Sequence, residues 1–430
     1  MAAEHKLSLP TAILININIM MGAGIFINTV ELSKRAGLLS GFMYPLIGLL
    51  VLPLIIAIAS LIKIYPSGGF YMYGEQEISP LVGYISTWSY FIAKLASASL
   101  MIHVSVSLIT QIFPALLSVG PILFYDLLIL SLFICLNLLN MKTGSRIQFG
   151  FLALKLLPVL FVITIGLLFF APAHVFSLPA IWTGIPSCIP LVLYAAMGFE
   201  AICAISNKIE DAERNAPKAI MISFATMMIL VFLFQFLFYA TLGQTLADQP
   251  NYLGAFPALL QKLFHFNPTL IHKLQALFHL AIAASALGGC YGILYSNNWN
   301  LYILAQNKKI RGWKIFSALN AQAIPYFCIF AEWLFCVVYL FASSGNQVIL
   351  QQLAALGTAL TYTVCVIALM MAYKRNHYPI TQQLVPYTAL ISCLILIGAC
   401  IRNFLIGGIL PLIGFAGLLA FGLLLYTKEK

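Results

Sequence analysis

Asn18-Ile19-Met20-Met21-Gly22-Ala23-Gly24-Ile25-Phe26 sits in the middle of the first long apolar segment, residues 9–29. A helix in hydrocarbon must satisfy its own backbone groups, and each interior glycine weakens it by about 1 kcal/mol relative to alanine. A Gly-x-Gly there has two readings. It lets a neighbouring helix approach closely, or it breaks the helix so that freed N–H and C=O groups line a binding cavity. Tyr194-Ala195-Ala196-Met197-Gly198-Phe199-Glu200 echoes it in the sixth apolar segment. Two interrupted segments at corresponding places in two halves point to the central site of a secondary transporter.

The surrounding composition decides the class. Of 430 residues 62% are hydrophobic and 8% charged, and mean hydropathy is +0.99, whereas soluble domains carry about 25% charged residues. This is an integral membrane protein, read as one polytopic domain over residues 1–430. Residues 1–6 carry Glu4 and Lys6 ahead of an apolar run that is too long for a signal-peptide core, so that run is expected to remain as the first span. The nine cysteines form no Cys-x-x-Cys pair and lie nearly all in apolar segments, which predicts packed thiols and no metal site.

About twelve spans are expected, centred near residues 20, 51, 95, 130, 160, 195, 230, 287, 334, 364, 394 and 416. Of the 22 Lys and Arg, 15 fall in connections on the N-terminal side, five (Lys34, Arg35, Lys262, Lys273 and Arg402) on the other, and Lys94 and Lys155 within spans. That asymmetry predicts cytoplasmic N- and C-termini. It also makes the net charge of +10 a topology signal, with no nucleic acid implied. The outer connection over residues 241–272 reads as a lid or short surface helices. No Gly-x-Ser-x-Gly triad, zinc helix or phosphate loop occurs, so neither an enzyme nor ATP drive is expected, and no cofactor.

Several motifs now group together. Gly22-Ala23-Gly24-Ile25-Phe26 resembles the Gly-x-Gly-Ile-Phe signature of the amino acid–polyamine–organocation transporter superfamily. Pro66…Gly68-Gly69-Phe70-Tyr71-Met72-Tyr73 is similar to its Pro/Gly-Gly/Tyr-x-Tyr loop, one residue shorter than the commonest form. Leu154-Lys155-Leu156-Leu157-Pro158, Gly198-Phe199-Glu200 and Arg214-Asn215-Ala216-Pro217-Lys218-Ala219-Ile220 resemble further family motifs on spans five, six and seven. Similar order and spacing run from Ser8 to about Pro325. The resemblance implies an all-α fold of the leucine-transporter type, a five-plus-five inverted repeat with discontinuous helices 1 and 6. The repeats would cover about residues 8–170 and 183–373, with two extra helices at about 384–427.

The resemblance also implies a substrate site between the two breaks. The amides of Gly22, Ala23 and Gly24, with Ile25 beside them, would face a carboxylate at a half-helix N-terminus. Carbonyls around Ala195, Met197 and Gly198 would face an ammonium group, and an α-amino acid carries both. Tyr194 falls where the family often places an aromatic over the substrate, its alternative being ordinary packing. Lys94, with Ala98 and Met101 at helical spacing, falls on the substrate-facing side of span three. Lys94 would either select against cationic substrates or pair with Glu200. In span eight, Cys290 and Tyr291 would touch substrate or scaffold. Lys155 reads as a coupling residue tethering span one, or as a snorkelling lysine near the inner face. Glu200 would gate by holding spans one and six together. His103 reads as a hydrogen-bonded core histidine, and Asp126 and Glu332 as interfacial.

The chain departs from the family at Asn207 and Lys208, where two acids are common, and at Trp299, where an arginine is common, so its inner gate differs. The function expected is secondary amino acid transport by alternating access, driven by protons or by exchange. A polyamine carrier, or a channel or receptor-like binder, is the alternative. Short loops point to a prokaryotic cytoplasmic membrane. Oligomeric state is left open.

Overall fold

Apolar segments of this length fold as helices because hydrocarbon offers the backbone no other partner. The computed structural model describes residues 7–65, 69–138, 141–171, 175, 177–205 and 209–428, with residues 141–153 and 204–205 described for their backbone alone. Span one is α1 (Leu9–Met20) followed by α2 (Gly24–Ala36), the two bent by 51°. α3 (Met43–Ile64) is span two, and α4 (Phe70–Glu77) is a short helix in the connection that follows. Spans three to five are α5 (Pro80–Ile112), α6 (Ile122–Asn137) and α7 (Met141–Leu168). Span six is α8 (Ile185–Ala196) and α9 (Ala201–Ile205), and span seven is α10 (Ala212–Leu242). After α11 (Ala255–Phe264), spans eight to twelve are α12 (Pro268–Gln306), α13 (Tyr326–Ser343), α14 (Gln347–Arg375), α15 (Ile380–Gly407) and α16 (Leu410–Leu425).

Among the described residues, eight helices are long and apolar enough to cross a membrane, and the bent α1–α2 pair makes a ninth. Three shorter apolar helices, Ile122–Asn137, Leu154–Leu168 and Leu410–Leu425, account for the remaining expected spans. Local signals fix several helix starts. Ser79 accepts from the Val82 amide at 3.3 Å ahead of Pro80, and Asn267 accepts from Leu270 at 3.0 Å ahead of Pro268. A capping side chain plus proline in the first turn satisfies or removes N–H groups that would otherwise be orphaned.

α5 is the axle of the bundle: 89% of its apolar window is buried, against 33% for α15, which therefore faces lipid. α12 packs on α5, α10 on α3, α14 on α5 and α7 on α12, while α1 meets α10 as α8 meets α3. These contacts pair up when spans one to five are matched in order with spans six to ten. None of the nine cysteines forms a disulfide among the described residues, and all but Cys135 are buried.

Two expectations are corrected. Asp126 and Glu332, read as interfacial from their distance to span ends, are 1% and 0% exposed. The helices carrying them face protein at those positions, and depth in the membrane does not tell inward from outward. The 241–272 connection forms short helices, a turn at Gln244–Ala247, a 3-10 turn at Tyr252–Gly254, and α11. Lys34 donates to the Pro250 carbonyl at 3.0 Å, which ties this connection to the end of span one.

Close packing of α14 on α5 rests on Gly357, where an added Cβ would meet Ala93 Cβ at 2.7 Å and Phe415 Cζ at 2.8 Å. Gly357→Val is expected to destabilise the fold by about 1–3 kcal/mol through overpacking. A thermal melt followed by thiol labelling of the buried cysteines will read this as a lower midpoint.

Candidate functional site

At the first break Met21 leaves helical geometry with ψ at 73°, and the Gly22 amide turns back onto the Met20 carbonyl at 2.9 Å. Gly22 is therefore not a free donor, which corrects the expected donor set. Among the described residues the amides of Ala23, Gly24 and Ile25 donate to no backbone or side-chain group. They form the N-terminus of α2, where the helix dipole places partial positive charge. The Asn18 carbonyl, released at the end of α1, accepts from Lys155 Nζ at 3.1 Å. Lys155 is only 2% exposed, so this lysine reaches across to span one and does not snorkel to the surface.

At the second break Met197 is extended with ψ at 158°, and Gly198 has φ at +113°, a conformation that costs a side-chain-bearing residue heavily. The carbonyls of Tyr194, Ala195, Ala196 and Met197 accept no hydrogen bond among the described residues. The Gly198 amide donates to Glu200 Oε2 at 2.7 Å. The same carboxylate accepts from Lys94 Nζ at 2.7 Å and Tyr90 Oη at 3.1 Å through Oε1. Glu200 therefore joins span six to span three, not to span one as expected. Lys94 stands in an ion pair and lies 4.9 Å from the Tyr90 ring centroid.

The breaks touch through their glycines. A Cβ on Gly24 would lie 3.1 Å from Ala195 Cα and the Tyr194 ring, and one on Gly198 would lie 3.1 Å from Met20 Cα. Tyr194 is held by a 3.1 Å hydrogen bond from Ser97 Oγ on α5. Met101, one turn beyond Ser97, rests its methyl where a Cβ on Gly22 would come within 3.0 Å. Ala98, on the same face, is buried.

In span eight it is Gly289 that meets this place, with its would-be Cβ 3.0 Å from Met101 Sδ and 4.0 Å from Gly22 Cα. Ser285 Oγ, one turn earlier, approaches the Met21 carbonyl at 3.5 Å. Tyr291 points elsewhere, packing its ring edge-on to Phe133 of span four at 5.6 Å. Cys290 is fully buried. One residue is about 100° around a helix at 3.6 residues per turn, so Gly289 meets the break while Tyr291 takes the scaffold side of the expectation.

Other polar ties were not foreseen. Asn28 donates to the Leu191 carbonyl at 2.8 Å and accepts from Gln351 at 2.9 Å, which joins spans one, six and ten. Gln235 of span seven donates to the Thr29 carbonyl and to Ser33 Oγ, each at 3.1 Å. A polar side chain inside an apolar segment was the available signal. His103 Nδ1 lies 2.8 Å from Asp126 Oδ2 in a separate pair. On the face carrying the Lys/Arg-rich connections, Glu77 of α4 accepts from Arg375 Nη2 at 2.7 Å and from the Tyr65 hydroxyl. Partial burial and the Glu77 carboxylate together hold the Tyr65 hydroxyl above its ordinary pKa. Asn207, Lys208, Pro66 and Gly68 lie outside the described residues. Trp299 packs edge-on to Tyr302 at 5.3 Å.

A cleft of about 450 Å³ opens at the start of α10, lined by Lys63, Asp211, Glu213, Arg214, Pro217 and Lys218. It is far along α10 from the breaks and carries charges of both signs, so it does not compete with them as the site.

Residues 7–416 match the sequence profile of the amino acid permease family. The chain belongs to that family. The permease is 23% identical over 327 residues to a probable threonine/serine transporter, YbxG, of Bacillus subtilis, covering 71% of this chain and 67% of the relative. It is 27% identical over 240 residues to the low-affinity putrescine importer PlaP of Escherichia coli K12, covering 50% of each. It is a multi-pass membrane protein and a transporter, not an enzyme.

The Lys94–Glu200 pair gives a direct check on the site. Its side chains are 10% and 1% exposed, and removing one partner of a buried pair typically costs about 3–5 kcal/mol. Lys94→Met and Glu200→Gln are each expected to lower the melting midpoint of the purified permease, and the double variant to recover most of the loss. Additive losses in the double variant would mean the two residues act independently.

Proposed function

We propose that this permease is a secondary active transporter that moves a zwitterionic amino acid by alternating access. The observation that carries the reading is two unpaired backbone sets on breaks that touch at Gly24 and Ala195. The Ala23–Ile25 amides sit at a helix N-terminus and suit a carboxylate. The Tyr194–Met197 carbonyls belong to the segment that Gly24 touches and suit an ammonium group. Lys94 is neutralised by Glu200, so it adds no net charge to the site, and a substrate of zero net charge fits best. Met101 and Gly289 would border its side chain, with Ala98 and Tyr194 nearby. A small polar side chain, as in the name of the Bacillus relative, is compatible with that boundary.

The second reading is an organic diamine. It is favoured by the likeness to a putrescine importer and by the carbonyls of span six, but it leaves the span-one amides without an anion. A channel lacks any specific support.

Within this reading, residues 8–170 and 183–373 form the inverted repeats, the crosswise helix contacts being the support, and residues 384–427 are peripheral. Both termini are cytoplasmic, as the Lys/Arg asymmetry favours, and the bacterial relatives point to a cytoplasmic membrane. Lys155 holds the end of α1 through the Asn18 carbonyl and couples span five to the break, with protons or exchange as the driving force.

The test is counterflow in proteoliposomes, preloaded with one unlabelled amino acid at a time and given the labelled form outside. Transient accumulation is expected for at least one neutral amino acid, and none for any amino acid would contradict the reading. Gly24→Leu is expected to abolish counterflow with expression intact, because its side chain would run into Ala195 and Tyr194. Full uptake would displace the site from the breaks. Lys155→Ala is expected to alter the pH profile or rate of uptake, and unchanged values of both would leave Lys155 a packing residue.

A further inference from the structure

Glu332 is a second intramembrane acid that the substrate site does not use. It lies on α13, six residues from the Tyr326 end, and is 0% exposed. Neither carboxylate oxygen makes a hydrogen bond of normal geometry among the described residues, although the Asn297 amide on α12 faces it. Asn297 is itself engaged, donating to the Phe91 carbonyl at 3.1 Å and accepting from Asn300 at 3.0 Å.

The titratable groups around Glu332 are thiols: Cys290 from α12, and Cys328 and Cys336 from its own helix. No charged group on α5, α6 or α14 reaches it among the described residues. The lysine and histidine of the buried stretch of α5 are committed elsewhere, Lys94 to Glu200 and His103 to Asp126. A carboxylate at this place would have no counter-charge, and a buried charge without a partner is expensive in a membrane protein. A proton is the partner such a group can take up and release.

We propose that Glu332 is a proton-binding site of the transport cycle, distinct from the substrate site between the breaks. This rests on the reading of the permease as a secondary transporter. The link is span eight: α12 carries Gly289 against Gly22 at the first break and Asn297 against Glu332, eight residues or about 12 Å further along the helix. A shift of α12 when the substrate site fills moves the Asn297 amide that faces the carboxyl. Proton occupancy at Glu332 in turn biases the position of α12. No covalent bond other than the O–H of the carboxyl forms or breaks.

The experiment compares wild-type permease with Glu332→Gln and Glu332→Asp in proteoliposomes, measuring counterflow without a gradient and uptake driven by an imposed pH gradient. Glu332→Gln is expected to retain counterflow, which shows that it folds and binds substrate, and to lose gradient-driven accumulation. Glu332→Asp is expected to retain accumulation with a shifted pH midpoint. Gradient-driven accumulation in Glu332→Gln equal to wild type would overturn the proposal, as would a wild type that shows counterflow without any proton movement. Infrared spectra of the purified proteins separate this from the transport reading. Wild type should show a carboxylic-acid carbonyl band that titrates with pH and is missing in Glu332→Gln. Absence of that difference overturns the site whether or not transport is found, while failure of wild-type counterflow with the band present counts against the transport reading alone.

Discussion

Everything in this structure depends on the fact that hydrocarbon cannot hydrogen-bond to a peptide group. Two spans are broken at the core of the bundle, and each break releases donors and acceptors that must be met from within the protein. Part of that demand is met by side chains. Lys155 takes the Asn18 carbonyl, and Glu200 takes the Gly198 amide while Lys94 and Tyr90 hold Glu200 in place. The Ala23–Ile25 amides and the Tyr194–Met197 carbonyls are left over among the described residues, on two breaks that touch where Gly24 meets Ala195. In the proposed reading, a ligand with an anionic and a cationic end is the complement of that remainder.

Much of this was legible in the chain because the cause and the sequence signal coincide. Gly22, Gly24 and Gly198 mark the breaks, since no other residue tolerates both the close approach at Gly24 and the positive φ at Gly198. Apolar run lengths gave the spans, and a capping residue followed by proline marks the starts of α5 and α12. Legibility ended where rotation about a helix axis decides the outcome. Tyr291, expected to touch substrate or scaffold, packs against Phe133, while Gly289, its close neighbour in sequence, meets Met101. Asp126 and Glu332 were judged by depth alone and lie facing protein. The Asn28–Gln351 tie joins residues more than three hundred positions apart, and no local pattern announces such a pair.

The buried Lys94–Glu200 pair shows how the fold assigns its charges. Pairing two desolvated ions contributes little net stability compared with apolar packing. What it supplies here is geometry, because one carboxylate fixes the Gly198 amide, the Tyr90 hydroxyl and the α5 ammonium at once. It also removes Lys94 as a free cation beside the breaks, so in the proposed reading recognition falls to backbone dipoles with no formal charge of their own. Glu332, by contrast, has no such partner among the described residues, and the two acids are therefore suited to different tasks.

The central claim is that backbone groups at the two breaks read both ends of a zwitterion. The most direct measurement is calorimetric binding of a neutral amino acid that the purified permease accepts, set beside its carboxamide and its decarboxylated amine. The account predicts that the amino acid binds and that removing the carboxylate charge by either route weakens binding at least about tenfold, roughly the 1.4 kcal/mol expected of one lost charged contact. Equal or tighter binding of the amine would contradict it, and would move the span-one amides out of the recognition site.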